Sequence, residues 1–264
     1  MGFFQNLFGR LFDSASESPH QSSDFELSEM ELADFEFELE AANCPDTPTT
    51  TPSSFELLDE ESVDSHLRIA RYSDFTLTDA IRPSYDLQVI PREAYRRDYF
   101  HDEQAGNRIP VLMISASAEK LFDLFLDLLE PLGNQVDVVV ETSHSGPDGG
   151  RGSSRREQID LPVLQSILCD YEDPILNDGC LGVAVLNPSI PLEVQFDEHK
   201  LLVVYGNSLQ PFEDILARYG IDCDEEVKFI TEGEHVHASQ QEYAEQFESL
   251  RNHLGTEHSL DIHR

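Results

Sequence analysis

The sequence predicts an α+β fold: one two-layer domain over residues 104–255, with a mixed six-stranded sheet and about four helices, behind a long acidic disordered tail. Three observations carry this expectation. First, Ile109–Ile114 and Val136–Val140 are short apolar runs, and Ala118–Glu130 between them repeats its apolar residues at intervals of three and four, so the stretch reads strand, helix, strand. Second, the pattern recurs downstream. Sliding Val111–Ile114 onto Leu201–Val204 lays Phe122, Phe125, Leu126 and Leu129 over Phe212, Ile215, Leu216 and Tyr219, and Val139–Val140 over Phe229–Ile230. Generic βαβ geometry explains the echo without shared ancestry. Third, Leu181–Leu186, Leu192–Phe196 and Leu201–Tyr205 are strands joined by the short links Asn187-Pro188 and Asp197-Glu198-His199, which suit antiparallel hairpins. Neighbouring strands without intervening helices argue against a pure doubly wound sheet.

The remaining helices follow from local signals. Asp160 is placed to cap a helix from Leu161 to about Tyr171, with Leu164, Ile167, Leu168 and Tyr171 inward and Pro174 as its stop. Ser239 with Glu242 makes a capping box for a last helix whose stripe is Tyr243, Phe247, Leu250 and Leu254, ended by Gly255, and residues 256–264 read as frayed. The glycine- and arginine-rich stretch from His144 to Arg156 reads as a polar surface loop, since neither GxxxxGK[ST] nor GxGxxG followed by a helix is present.

Charge divides the chain. From Asp13 to His66 there is no Lys or Arg against 6 Asp and 10 Glu, and Ser, Thr and Pro cluster there, so residues 13–81 are expected to stay disordered. The net charge of −35 argues against nucleic acid, whose phosphates need a positive surface, and against attachment to anionic lipid. A basic protein partner or a metal cation is compatible with it. Residues 82–103 change character. Arg82, Arg92, Arg96 and Arg97 are interleaved with Tyr85, Tyr95, Tyr99 and Phe100, and Pro91 suits the first turn of a helix over Arg92–Phe100. A clasp on the protein's own acidic surface is the simplest use of that segment. Four cysteines without CxxC spacing, no basic-then-apolar leader and no apolar run of spanning length point to a reduced, cytoplasmic protein whose cysteines pack as small apolar side chains.

Two functional readings follow. In the first, the protein is non-catalytic and recruits a protein partner. Residues 1–12 set Phe4, Leu7, Phe8 and Leu11 on one helical stripe, suited to a partner groove, and with one Arg only weakly to a membrane interface. The tail repeats a Phe-acid pattern at Phe25, Phe35, Phe55 and Phe75, each with an apolar residue two places on, as in multivalent acidic-hydrophobic motifs. No cofactor is needed. In the second reading, the run Glu232-Gly233-Glu234-His235-Val236-His237 puts His235 and His237 on one side of an extended segment, where they can hold a divalent metal. Asp197, Glu198 and His199, from a hairpin turn, and His144, from the polar loop, are the candidates to complete the ligand set if the fold brings them near, and metal-activated hydrolysis is then the reaction class. The plain alternative is a pair of ordinary surface histidines, because HExxH and GxSxG are both absent.

Overall fold

The structure, a computed structural model, describes residues 53–102, 107–144 and 152–258. Order begins well before residue 82. An arm of helix α1 (Glu60–Leu67) and short strands β1 (Arg71–Tyr72), β2 (Phe75–Thr76) and β3 (Ile81–Pro83) lies where the charge count predicts a disordered tail. Asp59 starts α1 by accepting from the Ser62 amide at 2.8 Å. Two anchors hold the arm to the domain. Phe75 is only 4 % exposed, and Thr76 donates its amide to Ser117 Oγ at 2.9 Å and its hydroxyl to Glu119 at 2.7 Å. Arg82 is buried and donates to the carbonyls of Leu67 and Ile81, each at 2.8 Å. The arm's acids stay at the surface while one Phe and one Arg reach inward, so an average over charge misses the anchoring.

Seven strands of five residues or more form one sheet: β4 (Ala94–Asp102), β5 (Asn107–Ser115), β6 (Gln135–Thr142), β7 (Gly152–Asp160), β8 (Leu181–Asn187), β9 (Leu192–Phe196) and β10 (Leu202–Gly206). Between them run α2 (Ala118–Leu128), α3 (Leu161–Asp170) and α4 (Glu172–Asn177), and α5 (Gln210–Arg218) follows β10. The ribbon strand β11 (His235–His237), α6 (Gln241–Leu254) and a two-residue edge strand β12 (Glu257–His258) follow. The sheet order is β12-β7-β6-β8-β9-β10-β5-β4, and every pairing is antiparallel. This corrects the expected mixed six-stranded sheet with about four helices: the sheet is antiparallel throughout and larger, and six helices accompany it.

The strands that sequence patterning missed have a common cause. β4 (AYRRDYFHD) and β7 (GSSRREQID) lie near the two edges of the sheet, so their polar side chains reach water and no apolar run marks them. The segment expected to be a helix over Arg92–Phe100 is therefore mostly strand, and the loop expected up to Arg156 contains the start of β7. The arginines of the first do clasp the protein's own acids: Arg96 meets Glu232 at 2.8 Å, Arg97 meets Glu213 at 2.6 Å, and Arg92 pairs with Asp224.

The two strand–helix echoes also arrange themselves differently from a βαβ pair. Four antiparallel steps separate β5 from β6, so they run parallel but with β10, β9 and β8 between them, and α2 crosses that gap. In the second copy the expected strand at Phe229–Ile230 is replaced by a 3-10 turn, Ile230–Glu232. β5 and β10 are instead direct neighbours, with Val111 opposite Tyr205 and Ile114 opposite Leu202, which sets α2 beside α5 on one face. Tyr219 just after α5 donates to Asp127 of α2 at 3.0 Å.

The helices cover that face, where alternate strand residues such as Leu112, Ile114, Val138, Val140, Val185, Phe196 and Val204 meet Leu121, Phe125, Leu164, Phe212 and Phe247. Phe125 and Phe196 stack edge to face with centroids 5.2 Å apart. The stripe Tyr243, Phe247, Leu250 and Leu254 is buried as its spacing predicts, and Gly255 ends α6 in the left-handed conformation at φ 64°. Ser239 does not cap that helix; Gln240 stands at the cap and Ser239 is engaged elsewhere. Cys169 and Cys223 are exposed rather than packed in the core. Among the described residues no helix is long and apolar enough to cross a membrane.

Candidate metal centre

The turn between β9 and β10 is built by one aspartate. Asp197 Oδ1 accepts from the amides of His199 at 2.9 Å and Leu201 at 2.8 Å, and the Asp197 amide donates to Leu201 O at 3.0 Å. An aspartate at the head of a tight turn captures backbone donors in this way, and the turn closes through Lys200 at φ 60°. The other oxygen of the same carboxylate, Oδ2, accepts from His199 Nδ1 at 3.1 Å.

A second piece of chain meets this turn. β11 pairs antiparallel with β3 of the arm, Val236 opposite Arg82, in a ribbon separate from the main sheet. Because strand side chains alternate, His235 and His237 leave the ribbon on the same side. Their rings lie 5.2 Å apart between centroids, and His199 sits 5.1 Å from the first and 4.8 Å from the second. One ring nitrogen from each of the three histidines falls within 4.8 Å of the others.

Hydrogen bonds assign which nitrogen that is. His235 Nδ1 lies 2.8 Å from Gly233 O, His237 Nδ1 lies 2.7 Å from Gly179 O, and His199 Nδ1 faces Asp197 Oδ2. Carbonyls and carboxylates only accept, so each Nδ1 carries a proton, and in the neutral form of each ring the lone pair is on Nε2. Three bare Nε2 atoms, each oriented through the far side of its ring, are the arrangement that metal-ligating histidines adopt. Gly179 is required for one of them. A Cβ there would stand 2.5 Å from Ala80 O and 2.7 Å from Ala238 O, because the peptide packs against the end of the ribbon, where Ala238 bonds Ala80, and donates to Ala238 O at 2.8 Å.

Burial and charge act on the rings in different ways. For His199, burial disfavours the cation, but the Asp197 carboxylate, with Glu198 beside it, outweighs that and leaves its pKa raised. For His237, burial dominates and the pKa is lowered, so this ring is held neutral and available as a ligand. Lys200, next in chain, is buried and pushed down to about 8, with its ammonium donating to Leu181 O at 3.0 Å. A cavity of about 20 Å³, close to the volume of one water, lies between Phe75, His199, Lys200 and Lys228.

The residues singled out in the sequence are thus distributed unevenly. His199, His235 and His237 converge. Asp197 is not in the histidine cluster; its oxygens are taken by the turn and by His199 Nδ1, which makes it the group that orients His199. Phe75 is core and Phe55 is half-buried against the ring of His66, 5.7 Å between centroids, so neither is a free anchor. Phe4, Leu7, Phe8, Leu11, Phe25 and Phe35 lie outside the described residues. The carbonyl acceptors of Gly179 and Gly233 were not foreseen, and only the Asp178-Gly179 pair, a turn dipeptide, hinted at one of them. No family model matches the chain, and comparison with curated proteins and with solved structures finds no match.

Proposed function

We propose that this protein binds a divalent transition metal of the zinc class through Nε2 of His199, His235 and His237, and uses it to activate water for hydrolysis. The observation that carries the reading is the set of three Nδ1 hydrogen bonds, which fixes all three rings in the ligating tautomer. Imidazole ligands suit zinc among the available cations. A three-histidine set leaves a tetrahedral position open, and water held there has its pKa lowered to about 7, which supplies hydroxide at neutral pH. The overall negative charge favours accumulation of a cation near the site.

The test uses the tag-free full chain, purified without chelator. Zinc content and hydrolysis of p-nitrophenyl esters and phosphates are measured for the wild type and for His235→Ala/His237→Ala. The variant is expected to lose one zinc equivalent and the activity together. Unchanged metal content ends the reading; metal loss without any hydrolytic activity in the wild type reduces it to binding alone.

The recruitment reading stands as a second proposal. What favours it is the arm: among the described residues, five of the eight exposed large hydrophobics, Leu57, Ile69, Tyr85, Leu87 and Ile90, fall within residues 53–90. Under that reading the arm's outer face and the stretch before it engage a protein partner.

A further inference from the structure

We infer that His144, Asp178 and Cys180 form a second metal site, with thiolate, imidazole and carboxylate donors that suit zinc. The three side chains are set opposite one another by strand register. β6 pairs with β8 through Thr142 and Leu181, and the Ser143 amide continues the ladder to Cys180 O at 2.9 Å. His144 therefore projects from one strand end against Asp178 and Cys180 at the start of the other. One donor atom from each lies within 4.8 Å of the other two. Asp178 is fully buried, and its Oδ2 lies 2.7 Å from His144 Nε2. Its Oδ1 is held by the Cys180 amide at 3.0 Å and the Ser239 hydroxyl at 2.6 Å, so one oxygen anchors the loop and the other is presented.

The alternative use of such a trio is nucleophilic, with His144 as base for the Cys180 thiol. That requires a thiol–imidazole hydrogen bond, and none involves Cys180 Sγ among the described residues. Ligands at about 2.0 to 2.3 Å from zinc stand about 3 to 4 Å apart, so the 2.7 Å His144–Asp178 contact opens slightly to admit the ion, while Cys180 Sγ is already within reach of both. The electrostatics agree. A thiolate and a carboxylate neutralise a divalent cation, which makes the site tolerable at a fully buried aspartate, whereas the three-histidine centre keeps a net charge of two. On binding, the Cys180 thiol gives its proton to solvent as the metal–sulfur bond forms, and the His144 ring proton moves to Nδ1, freeing Nε2 to ligate. The peptide between Asp178 and Cys180 is Gly179, whose carbonyl orients His237. Filling the second site thus stiffens a peptide that the first depends on.

Cobalt(II) distinguishes the two sites, because a thiolate ligand gives a near-ultraviolet charge-transfer band that a three-histidine set cannot. The tag-free full chain is stripped, loaded with cobalt and compared as wild type, Cys180→Ser, His144→Ala and His235→Ala/His237→Ala. Support is a band in the wild type and in the His235/His237 variant, lost in Cys180→Ser and weakened in His144→Ala, with zinc content one equivalent lower in Cys180→Ser. A wild type that binds cobalt without the band overturns the proposal, as does a band that survives Cys180→Ser and so belongs to another cysteine. Since Ser is nearly isosteric with Cys, an unchanged circular dichroism spectrum ties the loss to the ligand. Failure of the three-histidine reading shows separately, as metal content indifferent to the His235/His237 variant.

Discussion

Replacing Asp197 with Asn separates the two duties of that side chain. In the native turn Oδ1 accepts two backbone amides while Oδ2 accepts the proton of His199 Nδ1. An asparagine keeps its carbonyl oxygen at the Oδ1 position, because two donors there demand an acceptor. Its NH2 group then faces His199 and can only donate. The ring answers by moving its proton to Nε2, the nitrogen required for the metal. The cost combines a lost charge-assisted hydrogen bond, about 1.5 to 3 kcal/mol, with the enforced tautomer. Both side chains are less than a quarter exposed, 17 % for His199 and 22 % for Asp197, so solvent screening leaves most of that intact. The expected result is about a 10- to 100-fold weaker zinc affinity, roughly 1.4 to 2.7 kcal/mol, the range seen when an orienting partner of a ligating histidine is removed. Competition against a chromophoric chelator measures it, and thermal unfolding of the stripped protein is the control. That midpoint should move by no more than a few degrees, since the turn keeps its backbone bonds. Wild-type affinity in Asp197→Asn would refute the tautomer reasoning outright.

Two further substitutions probe the scaffold. Glu193 is fully buried on the sheet face away from the helices, beside Gln195, and burial pushes its pKa from 4.5 up to about 8. Its folded value lies above its unfolded one, so its contribution is intact below about pH 4.5 and is lost as pH rises through 8. At pH 7 ionisation in the unfolded chain costs stability on the order of 3 kcal/mol. Glu193→Gln should therefore flatten the decline of the melting temperature between pH 5 and 8 relative to wild type, and parallel profiles would show that the carboxyl is not held neutral. Phe75→Ala removes a core ring at 4 % exposure and is expected to cost about 3 to 5 kcal/mol by denaturant unfolding. A change below 1 kcal/mol would mean that the arm is not integral to the domain.

Much of the interior was legible because apolar periodicity reports burial. The runs that became β5, β6 and β8 to β10, and the stripes of α2, α5 and α6, all lie in the helix-covered core. What escaped was structure made by polar residues. The period-two order of β4 is hidden by its arginines, and Gln158, in β7 at φ 53°, breaks alternation with a bulge between Val136 and Val138 of its partner. Topology escaped for a different reason: strand, helix, strand reads the same whether the strands touch or have three others between them. At the site, the HxH spacing and the Asp197–His199 turn were visible as local patterns. Their meeting was not, since it depends on β11 pairing with β3, a three-residue strand where the expected tail gives way to the arginine-rich segment and no apolar run marks it. Cys169 and Cys223 were misplaced because sequence gives thiol chemistry but no exposure.

Two of the three converging imidazoles ride on a ribbon strand near the carboxy end, and the third belongs to a hairpin of the main sheet. A growing polypeptide cut short anywhere before residue 235 lacks two of the three rings and cannot assemble this centre. Bound zinc would then serve as a receipt for finished assembly: it records that the ribbon has closed and that its edge has been laid against the hairpin. The metal held at this centre, counted per chain, would measure how many molecules in a preparation have reached the end of their folding.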